Sequence, residues 1–573
     1  MASFFQDLSD YVVKYFWAIW ATIPIIIVIY GLLSVYKYGF NNFVLSSDSD
    51  QAKIPKNNWL IIGIFTIFLG FYIFLIIYKE DFAFYDESQY ILSTLRGVNY
   101  SKPIWLSEGR FWPLGHQEFN IIRFFTQSPI GYHLFPILQL LIVVAALFIF
   151  LIEFPVWFRI LLITIVTIAP SFVMSFFGLV IPERNIIFFL VILLICFKYF
   201  IKTRSRLYFC GALIAAQFLL YYKEPVFLLV GGFAGTRLLL QGFSERSLLQ
   251  RRGYQQFFRT YCVEVGLLIL TGFFLLLYTS VFLPYMNFEY ARIRSMDIFS
   301  VILSYLSFDP LLDIFLVTLI ARFLYLIYSR QLPNSFWDSL AVGAFIYFLS
   351  YIKLHLFNYY YMAPVDLIAI LYLGQLIYPK LKEKKVRFST ITALITFLIA
   401  SRNAVSSFEH IASRKNSIDG KVQLTQFIKK YTQKASNRNV TLFFPYASGY
   451  NIMEFSAFLE YKGLKLAKHY PSKPTDKLIF TVKSPAQFPK ENSCVDYVDA
   501  IKCFHAKSPQ SGDLIVVFTN DGISTEELTK LKQESILLFH YQPFLPLPKK
   551  ILPLFFLNPK SDIWSHIYLF QKP

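Results

Sequence analysis

Apolar runs long enough to cross a lipid bilayer recur in this chain from Tyr11 to about Ala400. A helix needs roughly 20 apolar residues to span the hydrocarbon core of a membrane. A chain of 573 residues would otherwise suggest several soluble domains. The recurrent runs instead predict a polytopic α-helical membrane protein with about twelve transmembrane helices. The predicted spans are 12–36, 57–78, 132–153, 157–180, 185–201, 207–221, 225–240, 260–283, 311–328, 336–352, 358–378 and 388–404.

The positions of the basic residues predict how these helices are oriented. The chain has 54 Lys and Arg against 36 Asp and Glu, a formal net charge of +18. If successive predicted helices cross the membrane in opposite directions, three basic loops lie on the same side. These loops are 202–206, 237–259 and 380–387. Basic loops mark the cytoplasmic side. The charge excess is thereby assigned to membrane orientation, and nucleic acid is not expected as a partner.

The opposite, extracytoplasmic side receives a long first loop, several short turns and the whole tail. These segments are 79–131, 182–184, 222–224, 284–310, 353–357 and the chain from about 405. Asp7 and Asp10 also fall on this side. Because they stand where a signal peptide has its basic region, no cleavable signal peptide is expected.

The tail has the pattern of a soluble α/β domain. Short β-branched and apolar runs bounded by polar turns predict strands at 440–444, 477–482, 514–518 and 536–540. A Ser/Thr cap precedes a predicted helix at 525–532. We therefore predict two domains: a transmembrane domain, 1–404, which includes the loop 79–131, and an extracytoplasmic α/β domain, 405–573.

Charged residues collect in the predicted external segments. The first loop opens with the acidic segment, residues 79–90, in which Asp86 and Glu87 are the candidate catalytic carboxylates. Ionisable residues at the ends of spanning helices are costly to desolvate and often mark a substrate path. The candidate substrate-binding residues at the other external helix ends are Arg110, Glu183, Arg184, Lys223, Glu224, Lys353, His355 and Tyr359. Acids and bases on one face beside lipid suit a reaction on an anionic, lipid-linked substrate.

The charged candidates also have structural interpretations. Asp86 could cap the helix that follows it, since a carboxylate accepts an unpaired backbone N–H at a helix start. Lys353 and His355 end a helix, where a structural role and phosphate binding are both open. Two pairs could bind each other or lipid headgroups instead of substrate, namely Glu183 with Arg184 and Lys223 with Glu224.

Aromatic residues and histidines have similar alternatives. Arg110 with Trp112, and part of the run 359–361, could anchor the chain at the membrane interface. His116 and His133 are expected to be hydrogen-bonded structural histidines and not metal ligands. The chain has no P-loop, no GxGxxG before a helix, no HExxH, no CxxC pair and no serine elbow. An ATP-driven pump and a soluble type of nucleotide-sugar enzyme therefore have no visible motif.

Three motifs in this architecture resemble those of a known superfamily. They are residues 85–90 (Tyr-Asp-Glu-Ser-Gln-Tyr), 182–184 (Pro-Glu-Arg) and 359–364 (Tyr-Tyr-Tyr-Met-Ala-Pro). With the long first external loop, they resemble external motifs of the GT-C superfamily of polyprenyl-phosphate-sugar glycosyltransferases. Within it, they resemble bacterial relatives of protein O-mannosyltransferases and lipid A aminoarabinose transferases. The resemblance implies an enzyme of the bacterial inner membrane with its active site on the extracytoplasmic side.

The resemblance also implies a reaction. A sugar would pass, with inversion, from a polyprenyl-phosphate donor to an extracytoplasmic acceptor, which could be a glycan, a lipid or a protein. Arg and Lys would neutralise the leaving phosphate, and Asp86 would act as base toward the acceptor hydroxyl. No cofactor is expected. A divalent metal bridged by Asp86 and Glu183 is the alternative, but the available cations favour a metal-independent reaction.

Three other functions remain open at this point, and one of them is a receptor or scaffold in which the tail is the functional part. An O-antigen polymerase or ligase also acts on lipid-diphosphate glycans, but such proteins usually carry their large loop late in the chain. A transporter of lipid-linked glycans would carry polar residues near the bilayer midplane and often an internal repeat, and neither is evident here. A last prediction concerns Cys494 and Cys503 in the tail, which would form a disulfide in an oxidising compartment.

Overall fold

The fold is taken from a computed structural model of the chain, and it divides into two compact units. Unit 1 comprises Met1–Ile73, Lys102–Gly115 and Pro136–Ser407, and unit 2 comprises Phe74–Ser101, His116–Phe135 and Phe408–Pro573. The structure describes residues 2–38, 58–83, 87–97, 99–100, 104–106, 109–244, 260–282, 284, 296–383, 386–434, 439–447, 449–466, 479–484, 503–505, 507–543 and 566–573.

The helices up to the middle of the chain are mostly long and apolar. They are α1 (Ala2–Tyr38), α2 (Asn58–Ile77), α3 (Glu87–Leu95), α4 (Gln117–Ile122), α5 (Pro129–Phe150), α6 (Val156–Thr167), α7 (Pro170–Phe177), α8 (Glu183–Thr203), α9 (Arg206–Leu220), α10 (Val226–Ser244) and α11 (Cys262–Phe282). Two short strands, β1 (Ile104–Trp105) and β2 (Arg110–Phe111), pair antiparallel between α3 and α4.

The later helices continue this pattern before the chain enters its C-terminal sheet. They are α12 (Ile298–Phe308), α13 (Pro310–Ser329), α14 (Trp337–Lys353), α15 (Ala363–Lys382), α16 (Val386–Lys434), α17 (Gly449–Tyr461) and α18 (Thr525–Glu534). Two 3-10 turns accompany them, Tyr359–Met362 before α15 and Thr519–Asp521 before α18.

The described helices identify a polytopic membrane protein, as the sequence predicts. Seven of them are long and apolar enough to cross a bilayer: α1, α2, α5, α8, α11, α13, and α15 with its preceding 3-10 turn. The shorter apolar helices are α9, α10 and α12. Every predicted span coincides with a described helix or with the bent pair α6–α7, whereas α12 was not predicted.

The predicted span 157–180 is not one continuous helix. It consists of α6 and α7, which meet at an angle of 70°. Pro170 is the first residue of α7, and Ala169 before it has an extended backbone with φ −66° and ψ 135°. Proline disfavours the helical conformation in the residue that precedes it. This local restriction ends α6, so the predicted span is a bent pair of helices, which together are long and apolar enough to cross a bilayer.

Glycine permits a close helix contact within unit 1. Helices α10 and α14 pack against each other, and Gly343 of α14 lies at their contact. A side-chain carbon at Gly343 would lie 2.8 Å from the carbonyl oxygen of Leu229 and 3.0 Å from the backbone nitrogen of Phe233. Small residues let helix backbones approach in membranes. This packing places the start of α10 beside the end of α14.

The described residues of unit 2 form a sheet of seven strands. Its strands are β3 (Asn439–Phe443), β4 (Lys465–Leu466), β5 (Ile479–Ser484), β6 (Cys503–His505), β7 (Leu514–Phe518), β8 (Ile536–Tyr541) and β9 (Ile567–Gln571). The spatial order is β4-β5-β3-β7-β9-β8, and β6 also pairs with β5. The strands from β4 to β7 pair in parallel, while β9 runs antiparallel to both neighbours.

The predicted α/β region of the tail is confirmed, with differences in detail. The four predicted strands correspond to β3, β5, β7 and β8, and the predicted helix is α18. Ser524 caps α18, and Glu527 completes a capping box with it. Strands β4, β6 and β9 were missed, although the apolar run 567–570 is a strand signal.

The core of unit 2 also includes part of the acidic segment. Ala83, which is 1% exposed, packs in the same cluster as Leu442 of β3, Val516 of β7 and Ile418 of α16. Residues 74–101 and 116–135 thus belong to the same compact unit as the tail, although the sequence assigned them to the transmembrane domain. The boundary at 404/405 stays a prediction.

Candidate functional site

Four of the predicted site residues form a compact cluster in unit 1. Glu183 is the first residue of α8, and Lys223 and Glu224 lie in the turn between α9 and α10. Arg110 opens the short strand β2. Helices α8 and α9 pack as an antiparallel pair, so the start of α8 lies beside the end of α9. We call these four residues the helix-end cluster.

The central contact of the helix-end cluster is a buried ion pair between Lys223 and Glu183. The side chain of Lys223 is 6% exposed and that of Glu183 is 0% exposed. The ammonium also lies 3.9 Å from the ring centroid of Tyr361 and 5.3 Å from that of Tyr360. Burial lowers the pKa of Lys223, although the Glu183 carboxylate opposes this effect. The motifs around 183, 223 and 360 therefore meet at one place.

A second ion pair lies next to the first. The Nε of Arg110 donates to Oε1 of Glu224 at 2.9 Å, and the backbone N–H of Phe111 donates to the same oxygen at 2.7 Å. Burial would raise the pKa of the Glu224 carboxyl, but Arg110 holds it below its usual value. The charge of Arg110 also acts on both Glu183 and Lys223. The two pairs thus form one electrostatic unit of two cations and two anions.

Tyrosines surround one side of this cluster. The ring of Tyr361 stacks on that of Tyr351 with centroids 4.5 Å apart, and the hydroxyl groups of Tyr351 and Tyr347 lie 3.1 Å apart. Tyr347 and Tyr351 are fully buried on α14. The ring of Tyr361 therefore has Tyr351 over one face and Lys223 over the other, which fixes it beside the ion pair. The charged groups of the cluster can bind the hydroxyls and the phosphate of a sugar phosphate.

The other predicted binding residues do not belong to the helix-end cluster and have different surroundings. Arg184 is 1% exposed, and its Nη1 donates to the carbonyl oxygens of Gly178 at 3.0 Å and Leu179 at 3.2 Å. Lys353, the last residue of α14, is exposed to solvent. The Nδ1 of His355 lies 2.7 Å from the carbonyl oxygen of Met296.

Tyr359 belongs to the same 3-10 turn as Tyr360 and Tyr361. Its ring packs against Phe308 with a centroid distance of 3.6 Å. Phe308 is the last residue of α12, so the turn is held to that helix end. The turn thus carries both a packing residue and the aromatic partners of Lys223.

A second charged cluster lies in unit 2 and includes the candidate residue Glu87. Arg414 of α16 pairs with two buried carboxylates of the acidic segment. Its Nε and Nη2 donate to Glu80 at 3.0 and 2.8 Å, and its Nη1 lies 2.9 Å from Oε1 of Glu87. Lys415 also pairs with Glu80, and Nε2 of His133 lies 3.2 Å from Oε2 of Glu80. We call these five residues the buried charge network.

Burial and the neighbouring charges shift the pKa values of the residues in the buried charge network in different directions. Burial would raise the pKa of Glu80, but Arg414 and His133 hold it well below its usual value. Burial would lower the pKa of Arg414, and Glu80 and Glu87 raise it above its ordinary value instead. Burial lowers the pKa of Lys415 to about 8 despite its contact with Glu80.

Further contacts hold the acidic segment to the rest of unit 2. Lys462 pairs with Asp81 at 2.5 Å, and Nζ of Lys421 donates to the carbonyl oxygen of Ala83 at 2.8 Å. At the far end of α3, Arg96 pairs with Glu460 at 2.6 Å. The segment is therefore bound at several points to α16 and α17.

Some predicted sites lie outside the described residues. Asp86 is one of them, although α3 begins at Glu87, the next residue, as the sequence predicts. Cys494 is another, and the side chain of Cys503 is likewise not described, so the disulfide stays a prediction. Among the described residues, no group of three His, Cys, Asp or Glu side chains is arranged to hold a metal ion.

The sequence missed the roles of Arg414, Lys415 and Glu80. Arg414 lies 334 residues after Glu80, and nothing in the local pattern of either residue signals that they pair. The sequence also missed Asp366, a fully buried carboxylate of α15 that accepts a hydrogen bond from Ser171. Its signal was present, because a carboxylate inside a spanning helix is itself a mark of function.

Comparison with solved structures found three chains that are similar to this one. No family model matches the chain, and no curated protein matches it. One of the similar solved structures is ArnT from Cupriavidus metallidurans bound to undecaprenyl phosphate. The similarity has a TM-score of 0.44 and 11% sequence identity, and it covers 90% of this chain and 98% of that chain. Because a similarity of this degree carries no functional argument, we base the proposed function on this chain's own residues.

Proposed function

We propose that this protein is an integral-membrane glycosyltransferase that moves a sugar from a polyprenyl-phosphate donor to an extracytoplasmic acceptor. The helix-end cluster binds the sugar phosphate, and Asp86 is the base that activates the acceptor hydroxyl. Attack opposite the phosphate inverts the anomeric centre. The active site faces the extracytoplasmic side of a bacterial inner membrane, and the reaction needs no metal ion.

The observation that carries this proposal is the state of Glu183. Its Oε1 pairs with Lys223, whereas its Oε2 has no hydrogen-bond partner among the described residues. The side chain is fully buried. A buried carboxylate oxygen without a partner is costly, so a ligand that donates a hydrogen bond would be stabilised there. Sugar hydroxyls are such donors.

The cations of the cluster supply the second half of the site. Lys223 and Arg110 are each held by one carboxylate and lie close enough to influence each other electrostatically. A phosphate that enters the cluster can take over hydrogen bonds from these cations while the carboxylates turn to the sugar. Arg binds phosphate with two parallel donors and Lys with a compact point charge. Neutralising the phosphate makes it a better leaving group.

The base is assigned to Asp86 from its place in the sequence. It immediately precedes α3, and Glu87 beside it has both carboxylate oxygens in contact with Arg414. Glu87 is therefore committed to an ion pair. Of the two acidic candidates, Asp86 is the one that we assign to proton transfer, and the carboxylate must reach the acceptor hydroxyl to accept its proton.

The test uses purified full-length protein in liposomes with radiolabelled undecaprenyl-phosphate sugars, including a hexose series and aminoarabinose. Envelope extract supplies the acceptor. Wild-type protein is expected to transfer label from at least one donor, and Asp86→Asn is expected to abolish transfer. Asn remains a good N-cap, so the variant should insert and purify normally. Asp297→Asn is the matched control, because Asp297 caps α12 through the backbone N–H of Ser300.

The outcomes separate the role of Asp86 from the function itself. Full transfer by Asp86→Asn would move the base elsewhere. Absence of transfer by the wild-type protein with every donor, together with no binding of undecaprenyl phosphate, would refute the glycosyltransferase function. Loss of folding in Asp86→Asn but not in Asp297→Asn would assign Asp86 a structural role that Asn cannot fill.

A further inference from the structure

We propose that the turn between α4 and α5 is a membrane anchor. Its apolar side chains, Ile121, Phe124 and Phe125, insert into the lipid bilayer at the surface where α5 enters it. We call these three residues the apolar wedge. The partner is the lipid itself, at the boundary between headgroups and acyl chains. This inference does not depend on the transfer reaction proposed above.

The apolar wedge is an exposed patch beside a spanning helix. Ile121 is 62% exposed, Phe124 is 75% exposed and Phe125 is 84% exposed. Large apolar side chains that are exposed together mark a contact with another molecule or with a membrane. The next helix, α5, begins at Pro129 and is long and apolar enough to cross a bilayer. The patch thus lies immediately before the point at which the chain enters the membrane.

Local contacts hold the apolar wedge in a defined conformation. The backbone N–H of Phe124 donates to the carbonyl oxygen of Ile121 at 3.1 Å, which forms a tight turn at the end of α4. Thr126 packs so closely on α5 that a side-chain carbon at Gly131 would lie 2.2 Å from its Oγ1. Glycine at this position therefore lets the turn fold back on the helix. A preformed turn loses little conformational entropy when it binds.

The opposite side of the same pair of helices is buried in unit 2. Phe119 of α4 is 1% exposed and Tyr132 of α5 is 0% exposed, and their ring centroids lie 6.1 Å apart. The ring of Phe82 packs edge-on against Tyr132 at 5.2 Å. Because one side of the two helices is fixed in the core, the wedge is held on the outside.

The exposed side of α5 identifies lipid as the occupant. Ile130, Leu134 and Leu138 recur every four residues, and all three are exposed. Side chains at this spacing lie along one face of a helix. In a spanning helix, an exposed apolar face is covered by lipid. The wedge adjoins this face in the chain, and an interfacial apolar segment enters a bilayer by about 5–10 Å.

The end of α2 marks the same membrane boundary. Nζ of Lys415 donates to the carbonyl oxygen of Ile76 at 3.1 Å and also pairs with Glu80. Nε2 of His133 lies 3.2 Å from Oε2 of Glu80, so the end of α2 adjoins the start of α5. Tyr78, just after α2, is exposed, and tyrosine is enriched where spanning helices leave the bilayer. This part of the acidic segment therefore lies at the level of the lipid headgroups.

The experiment uses the full chain in nanodiscs of phosphatidylethanolamine and phosphatidylglycerol. Phe125 is replaced by p-benzoylphenylalanine, a photoreactive derivative that cross-links to C–H bonds in contact with it. The same replacement at Leu138 reports the lipid contact of α5. At Lys530 of the polar helix α18, whose side chain is 73% exposed, it reports a surface in water. We expect a lipid adduct at positions 125 and 138, identified by mass spectrometry, and its loss at position 530.

A second arm tests whether the two phenylalanines are responsible for the insertion. The photoreactive residue is placed at Ile121, and Phe124→Ser and Phe125→Ser are combined. The matched control combines Ile536→Ser with Leu537→Ser, since these are also two consecutive exposed apolar residues, on β8. The wedge variant should lose the lipid adduct at position 121, and the control should keep it. Tm in detergent should be unchanged in both, because the replaced side chains lie on the surface.

The other outcomes would overturn the inference. Absence of a lipid adduct at position 125, with the adduct at position 138 present, would place the wedge in water. A cross-linked dimer would make the wedge an interface between two copies of the chain, and a cross-link within one chain would show that another segment covers it. An unchanged adduct at position 121 in the wedge variant would assign the insertion to other residues.

Two features keep the test decisive. If the replacement at Phe125 prevents insertion of the protein, the replacement at Ile121 gives the same readouts. None of the measurements uses sugar transfer, so the membrane anchor and the proposed function can fail independently.

Discussion

The ammonium of Lys223 lies between a carboxylate and an aromatic face: it pairs with Glu183, and the ring centroid of Tyr361 is 3.9 Å away. Three separate parts of the chain supply these groups. The contact of a cation with an aromatic ring is worth about 2 kcal/mol or more when both are desolvated. The ion pair is therefore held in place before any substrate arrives.

This arrangement predicts different outcomes for single and double substitutions. Lys223→Met leaves a buried, unpaired Glu183, and removing one partner of a buried ion pair costs roughly 3–5 kcal/mol. The double variant Lys223→Met/Glu183→Leu removes both charges and should recover the thermal stability, measured as Tm in detergent. It should nevertheless lack sugar transfer and binding of undecaprenyl phosphate. Activity in the double variant would show that the pair is only structural.

A second prediction concerns Arg184, which the sequence placed with the phosphate ligands. Its guanidinium donates to the carbonyl oxygens of Gly178 and Leu179 just beyond the end of α7. Arg184→Met should leave these groups without that donor and lower Tm, at a cost of roughly 1–3 kcal/mol for each unsatisfied group. The donor KM of the folded fraction should not change. A large rise in KM at unchanged Tm would restore Arg184 to the phosphate site.

The third prediction is a pH dependence of stability that the buried charge network produces. The folded pKa of Glu80 lies well below its ordinary value of 4.5. The unfolded state therefore binds more protons below about that pH, and the stability that Glu80 contributes is lost as the pH falls through the folded pKa. Lys415 has a folded pKa of about 8 against an ordinary 10.5. Between pH 8 and pH 10.5 the unfolded state again binds more protons than the folded state. The contribution of Lys415 to stability therefore rises with pH in this range.

The measurement is Tm against pH for wild-type protein, Glu80→Gln and Lys415→Met. The difference between wild type and Glu80→Gln should shrink as the pH falls below about 4.5, because protonation removes the charge that the substitution removes. The difference between wild type and Lys415→Met should change between pH 8 and 10.5. Parallel curves over both ranges would contradict the assigned protonation states.

The spanning helices and the helix-end cluster could be predicted because their signals are local. A run such as 185–201 is apolar throughout, and it corresponds to α8. Counting helices then brings Glu183 and Lys223 to the same side, where the structure pairs them. The break at Pro170 had a local signal as well, but the continuous apolar run from 157 to 180 masked it.

The buried charge network could not be predicted in the same way. Arg414 follows the last predicted span and has the pattern of an ordinary basic residue near a membrane surface. Its partner Glu87 is 327 positions earlier. A pairing of this kind depends on how the acidic segment and α16 fold together within unit 2. Hydropathy and helix periodicity describe neighbouring residues, so they contain no information about that relationship.

The separation of these partners along the chain has a consequence for biosynthesis. Glu80 is made 334 residues before Arg414. At a synthesis rate of about 5–20 residues per second, roughly 15–70 seconds pass between the synthesis of the acidic segment and that of Arg414. During that time the segment cannot adopt its final buried state, because its charges would be unpaired. The acidic segment must therefore remain hydrated at least until α16, which carries Arg414, has been synthesised.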